Sequence, residues 1–197
     1  MSACLADAPL DDLLKGVEAR YNQVKTLQVL FKLDYTAPGK PRRTESGILM
    51  LRKPLRMRWD YSQPKGKLFI GDGKNLWIYT PAENEAEKTS MKESEDMRAP
   101  LAFLLGKLHF QKEFQNLKAT PEGGATRITA EPKGDNLPYS RVEFLINSDR
   151  QIREVKVEGF DKSIMDFTFD QERLNPSFDP KLFQFQPPPG VKVVEGQ

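Results

Sequence analysis

The chain has 197 residues, with 30 basic against 28 acidic and a formal charge of +2, and that near balance argues against a general electrostatic grip on nucleic acid. Hydrophobic residues make up 38% and charged residues 29%, the proportions of an ordinary globular domain; the uncharged run from Ala99 to Gly106, eight residues, falls far short of the roughly 20 that cross a bilayer as a helix. A single cysteine, Cys4, excludes an internal disulfide framework and a multi-cysteine metal site.

The opening MSACLADAP admits two readings. Cys4 is an unremarkable thiol in a loose tail over residues 1–9, or the small residues around it are the end of an export signal and the cysteine is a lipidation site. Leu10, Leu13, Leu14, Val17, Tyr21 and Val24 then recur at helical spacing, which predicts an amphipathic helix over 10–24 with Asp11 and Asp12 well placed in its first turn. From Leu27 the period drops to two, through Val29, Phe31, Leu33 and Tyr35, the signature of a half-buried strand. A second strand runs from Gly47 to Leu51 and is interrupted at Pro54, which cannot donate to a ladder and so marks an edge or corner. Leu55, Met57, Trp59 and Tyr61 alternate with Arg56, Arg58 and Asp60 without a fault, which predicts one apolar face and one wet face.

Residues 67–70 and 76–79 flank GDGKN, where Asp72 and Gly73 supply the positive φ angles of a tight hairpin. Further strands are predicted near 86–91, 113–119, 126–131, 139–146, 152–159 and 162–174. Between them, RAPLAFLLGKL puts Pro100 where a first helical turn tolerates proline and gathers Leu101, Leu104, Leu105 and Leu108 on one face, with Phe103 widening it. Gly106 weakens that helix by about 1 kcal/mol relative to alanine. The segment is either a core helix plugging the sheet or a lid that can come away. PPPG at 187–190 is expected to forbid sheet pairing at the end of the chain. About eleven next-neighbour antiparallel strands in one domain favour a large curved sheet or an open barrel. Alternation assigns Phe31, Leu49, Leu51, Met57 and Trp59 to its apolar lining, together with Trp77, although both faces of the strand around Trp77 are apolar.

Catalytic patterns are missing. His109 is the only histidine and has no nucleophile elbow near it. No cluster of zinc ligands is present, and GDGKN is followed by no helix that would make it a phosphate loop. Neither a metal nor a cofactor is expected. Arg42, Arg43, Arg52, Lys53, Arg56 and Arg58 form the densest basic group, but Trp59 and Tyr61 alternate to the opposite face, which argues against base stacking. The group is either a set of charged gatekeepers on the wet face or a docking surface for an acidic partner.

The succession GILMLRKPLRMRWDY, then KLFIGDGKNLWIYTP, then FQFQPPPGVKVVE resembles the LolA family of periplasmic outer-membrane lipoprotein carriers. With the amphipathic N-terminal helix the resemblance covers essentially the whole chain. It implies a mainly β protein with two or three short helices, an incomplete antiparallel barrel closed by a helical lid, no enzymatic activity and a periplasmic location. It implies as partners acylated lipoproteins, an inner-membrane ABC transporter (LolCDE) and, where present, an outer-membrane acceptor (LolB), with the carrier a monomer. It also implies lid control at Lys53, where the family usually has an arginine whose fork bonds to lid backbone; lysine is a different donor at such a site. Two alternatives stay open: a LolB-like acceptor anchored through Cys4, and a carrier of other lipids or glycolipids.

Overall fold

The computed structural model describes residues 7–91, 107–134 and 137–196. Cys4 and the expected lid residues Pro100, Leu101, Phe103, Leu104 and Leu105 lie outside the described residues. Helix α1 (Asp7–Asn22) carries acidic residues early and Arg20 in its last turn, in accord with the helix dipole. Its stripe buries Leu14, Val17 and Tyr21. Gly16 sits mid-helix because the Arg150 guanidinium lies where a Cβ would be, 1.5 Å from Nη1, and from there donates to the Asp12 carbonyl.

The period-two segments form strands β1 (Thr26–Thr36), β2 (Arg43–Arg52), β3 (Arg56–Gln63), β4 (Leu68–Asp72), β5 (Asn75–Thr80), β6 (Glu85–Ser90), β7 (Phe114–Glu122), β8 (Ala125–Pro132), β9 (Tyr139–Ile146), β10 (Ile152–Gly159), β11 (Ile164–Leu174) and β12 (Lys192–Glu195). A one-turn helix, α2 (Phe110–Glu113), precedes β7. The strands make one sheet in the order β12-β6-β5-β4-β3-β2-β1-β11-β10-β9-β8-β7. β7 and β12 end it unpaired to each other, so the barrel is incomplete. The sheet has twelve strands where eleven were expected. The extra one follows the prolines of PPPG: Lys192 to Glu195 pairs in parallel with Glu85 to Lys88, because proline blocks only its own ladder position and the non-proline residues beyond it keep their donors.

Leu55 also departs from the expected alternation. It lies in the β2–β3 turn at φ 57 and is 49% exposed, so the regular strand begins only at Arg56. In the β4–β5 hairpin Gly73 takes the positive φ (98), while Asp72 Oδ1 accepts from the amides of Lys74 and Asn75, both at 2.7 Å. A side chain thus does what a second positive φ was expected to do.

Register sorts side chains to an inner face under α1 and an outer face. The inner face holds the main core: Leu27, Val29 and Phe31 from β1, Leu49 and Leu51 from β2, Val155 and Val157 from β10, Phe167 and Phe169 from β11. The outer face is divided. Over β8 to β11 it is charged, with Arg127 Nη1 donating to Glu154 at 2.9 Å and Glu143 at 3.4 Å. Asp34 and Asp166 stand directly opposite each other there. Asp34 is held by Lys32, Arg42 and Thr44, whereas Asp166 Oδ1 is buried without a hydrogen-bond partner. Burial, with Glu154 and Asp34 nearby, raises the Asp166 pKa.

Over β2 to β6 the outer face is apolar and a C-terminal strap crosses it. A 3-10 turn (Pro180–Phe183), started by Asp179 accepting from the Lys181 amide, packs on β3 and β4. Phe183 is buried, as are Met50, Ile70 and Ala86 on this face. Phe185 packs on Trp77 and Tyr79 at 5.3 and 5.6 Å, and Arg58 Nη1 donates to the Leu182 carbonyl at 3.1 Å. The chain therefore has a second, smaller core behind its sheet.

Truncating Phe183 to alanine is expected to cost about 3–5 kcal/mol, read as a fall of roughly 10 °C in Tm. Asp166→Asn is expected to raise Tm at neutral pH. The raised folded pKa means that the ionised group opposes folding above it and that lowering pH through it relieves the penalty; the advantage of Asn in thermal melts should shrink as pH falls into the carboxylate range.

Candidate functional site

The inner face is assembled from rows that run across the sheet. One row is Leu27, Leu51, Met57, Gly71 and Leu76; the next is Val29, Leu49, Trp59, Phe69 and Ile78. A third runs Phe169, Phe31, Gly47 and Tyr61. Gly47 is needed because a Cβ there would stand 2.0 Å from the Asp60 carbonyl oxygen, and the rings of Phe31 and Tyr61 meet edge-on beside it at 5.1 Å. Phe31 and Trp59 meet at 4.8 Å. Trp59 is also 5.8 Å from Phe167, and its indole N–H points at the Met57 sulfur, 3.2 Å away. Such edge contacts each stabilise by about 0.5–1.5 kcal/mol beyond burial.

Five of the six lining residues therefore come together: Phe31, Leu49, Leu51, Met57 and Trp59 are all buried on this face. Trp77 does not join them. It pairs with Ile70, one position out of phase with Leu76 and Ile78, so it points to the outer face and meets Phe185 and the Lys88 ammonium. Both faces of β5 are apolar because both are covered, and alternation alone had no polar position with which to fix its phase.

Cover over the inner face is uneven. α1 is pinned near the start of β1, where the Tyr21 hydroxyl donates to Glu172 at 2.6 Å and accepts from the Ile152 amide at 3.0 Å. Arg20 holds the other Glu172 oxygen at 2.6 Å. Burial and the adjacent carboxylate push the Tyr21 phenol far above its ordinary range, so it stays a donor. The Lys53 ammonium caps the end of α1, 2.7 Å from the Tyr21 carbonyl, and burial lowers its pKa. Leu108 is buried, and its amide and carbonyl both bond to the Asn22 side chain, at 2.7 and 2.9 Å. The Glu18 carboxylate accepts from the Phe110 amide at 2.7 Å, and His109 lies 3.8 Å from the same carboxylate group. Farther along, Leu33, Tyr61, Phe69 and Met165 are only partly buried against the core.

Two clefts bounded by described residues lie between α1 and the sheet. Tyr21, Leu27, Val29, Leu49, Ile152, Phe169 and Glu172 line one, and Val24, Leu51 and Lys53 help line the other. At about 10 Å³ each, they have room for no more than about one water. Among the described residues no group of His, Cys, Asp or Glu is placed to hold a metal ion. Of the basic group singled out in the sequence, Arg42 binds Asp34, Arg43 lies over Tyr35, Arg58 binds Asp60 and Lys53 caps α1. The Tyr21–Glu172 clamp carries no sequence signal short of knowing the fold. The strap did leave one, in Phe178, Phe183 and Phe185 downstream of strands that are apolar on both faces.

The family model for the outer membrane lipoprotein carrier protein LolA matches residues 22–186. The outer-membrane lipoprotein carrier protein of Chromobacterium violaceum is 30% identical over 173 residues, 87% of this chain and 82% of that one. Its counterpart from Nitrosomonas europaea is 26% identical over 197 residues, 98% and 95% of the two chains. Among solved structures, an uncharacterized conserved protein from Thermus thermophilus superposes with a TM-score of 0.54 at 13% identity, covering 95% of this chain and 99% of that one. A putative outer membrane lipoprotein-sorting protein domain from Vibrio parahaemolyticus gives 0.51 at 9% identity, covering 87% and 94%. These two show likeness of fold.

Tyr21→Phe removes one donor to Glu172 and leaves the Ile152 amide without its acceptor. A loss of about 1–3 kcal/mol follows, to be measured as a lower urea midpoint at unchanged m-value.

Proposed function

Because the chain belongs to the LolA family of outer-membrane lipoprotein carrier proteins, we propose that it takes up the acyl chains of lipoproteins on the inner face of its sheet and carries them through the periplasm. The observation that carries this reading is a continuous aromatic and aliphatic surface, clamped under α1 at one end and bordered by partly buried apolar side chains, among them Leu10 and Leu13 on α1 and Leu33, Tyr61, Phe69 and Met165 at the far end. A chain of about 14 methylenes represents roughly 11 kcal/mol of transfer free energy, so it cannot cross water unshielded. A carrier must also let go. Apolar side chains that close on one another when empty compete with cargo, which lowers net affinity to a level that permits hand-over.

In this reading Phe31, Leu49, Leu51, Met57 and Trp59 contact the acyl chains, and Trp77 does not. Neither of the two clefts between α1 and the sheet has room for an acyl chain, so cargo held at that end would have to move part of the cover. The leucine-rich segment from Pro100 to Leu108 is the candidate lid. Lys53 acts on it indirectly, by fixing the end of α1 to which Leu108 is bonded through Asn22. Cargo would come from an inner-membrane ABC transporter of the LolCDE kind and pass to an outer-membrane acceptor of the LolB kind. No step of this cycle makes or breaks a covalent bond, and the reading assigns the protein no enzymatic role.

The test is site-specific photo-crosslinking in cells, with a photoreactive amino acid in place of Tyr61 on the inner face and of Trp77 on the outer face. Acylated proteins are expected as adducts from position 61 and not from 77. Their absence from 61, or equal yields from both positions, would falsify the assignment of the inner face as the carrier site.

A further inference from the structure

One end of the sheet consists of chain reversals held side by side. The Lys53 amide donates to the Lys25 carbonyl at 2.9 Å and the Asn175 amide to the Thr26 carbonyl at 2.8 Å. The Lys25 amide donates to Asn175 Oδ1 at 2.8 Å, and the Thr26 hydroxyl to the Pro176 carbonyl at 2.7 Å. The start of β1, the β2–β3 turn and the end of β11 thus form a single rim. Pairing of Arg56 with Asp72 sets the β4–β5 turn, with Lys74, beside it.

This rim carries Lys25, Arg52, Arg56, Lys74 and Arg173, and none of the five enters an ion pair among the described residues. The carboxylates close by are already engaged, Glu172 by Arg20 and Tyr21 and Asp72 by its own turn. Single cations elsewhere, such as Lys15, Lys65 and Lys118, also lack an ion pair; what distinguishes the rim is that five are gathered on adjoining turns and strand ends. Leaving five cations together without a counter-charge costs self-repulsion, and the fold gains nothing visible from it.

Leu55 stands at the tip of the β2–β3 turn. It is 49% exposed, and Leu174, on the adjoining reversal, is 37% exposed. At φ 57 a leucine is in the left-handed region that glycine and asparagine occupy far more readily. Here an apolar side chain is held in an unfavourable backbone conformation with little burial in return. Both features, the unpaired cations and the exposed leucine, run against stability, and they coincide in space.

We propose that this rim is a docking surface for a bilayer rich in anionic phospholipid, with Leu55 entering the headgroup layer and the five cations facing phosphates. Basic side chains around an apolar tip are the arrangement that interfacial binding selects. An acidic protein would use the charges but has no need of a protruding leucine. The contact is weak and salt-sensitive, since it acts within a Debye length of about 8 Å at physiological ionic strength. It is independent of the carrier reading, because no acylated protein takes part.

Cosedimentation of the full chain with phosphatidylcholine vesicles, with and without phosphatidylglycerol, tests it. Binding is expected only to the anionic vesicles and should fall as salt rises. Arg56→Gln and Lys74→Gln should each lower the partition coefficient about fivefold. Leu55→Asn should lower it too while leaving Tm unchanged or higher, because asparagine tolerates that φ. The proposal is overturned if no vesicle binds, or if binding ignores lipid charge, as an anchor on Cys4 would cause. It is equally overturned if only the charge variants lose binding, which would indicate an acidic protein partner, or if Leu55→Asn lowers Tm, which would make Leu55 a structural residue.

Discussion

Everything in this fold follows from the need to cover both faces of one wide sheet with very little chain left over. Twelve strands in an open order present two surfaces, and the described residues outside the sheet are chiefly one four-turn helix, a one-turn helix and the C-terminal strap. The strap closes the outer face of β2 to β6 with three phenylalanines and with its Leu182 carbonyl, which accepts from the Arg58 guanidinium. Over β8 to β11 the outer face needs no cover, because it is charged and internally paired. α1 closes the inner face, and it does so from one side, through contacts concentrated on Tyr21. That asymmetry leaves one end of the apolar surface clamped by polar bonds and the other held by apolar contacts at Leu33, Tyr61, Phe69 and Met165, which are partly buried.

Much of this was legible in the chain. Period-two alternation located β1, β3 and β9 to β11, and Gly, Pro, Asn and Asp marked most of the turns between them. The inward placing of Phe31, Met57 and Trp59 followed from the same alternation, since β1 and β3 have polar residues on the other side to set the phase; Leu49 and Leu51 alternate with Ile48 and Met50, and their face is fixed by pairing with Val29 and Leu27. Trp77 was misplaced for the converse reason: Leu76, Trp77, Ile78 and Tyr79 are all apolar, and only the strap behind the sheet explains why. Leu55 continued the pattern of β3 on paper but lies in a turn, because Pro54 before it cannot supply the ladder donor. β12 is four residues long and its partner, β6, is distant in sequence, so no local signal announces it. The clamp at Glu172 joins residues about 150 positions apart, which is beyond the reach of any local pattern.

Lys53 shows how one residue changes role with its surroundings. Family resemblance implies an arginine-like hold on lid backbone, through several donors at once. In this chain the single ammonium is spent on the carbonyl of Tyr21, at the end of α1 where the helix dipole is negative. Partial burial of the ammonium lowers its pKa. A point charge that neutralises a helix end is satisfied by one contact, whereas a guanidinium there would have donors to spare. The connection from Lys53 to the segment before β7 therefore runs through α1 and the Asn22 side chain, whose two bonds to Leu108 occupy both of that residue's backbone groups.

The same Tyr21 joins this helix end to the sheet on the opposite side, through Glu172. Two oxygens of one residue, its carbonyl and its hydroxyl, thus connect the β2–β3 turn, β10 and β11 to a single turn of helix. A displacement of α1 sufficient to widen the inner face near Leu27 and Leu49 would have to break charge-assisted bonds to Lys53 and Glu172 and a neutral one to the Ile152 amide, at a Glu172 side chain only 4% exposed. At the other margin, beside Leu33 and Tyr61, the Lys67 ammonium bonds both oxygens of Glu45 at 3.1 and 3.0 Å, a tie from β2 to the turn before β4 and not from helix to sheet. The helix is thus tied to the sheet at the Tyr21 end, whereas the polar ties among the described residues at the far margin run within the sheet and its turns.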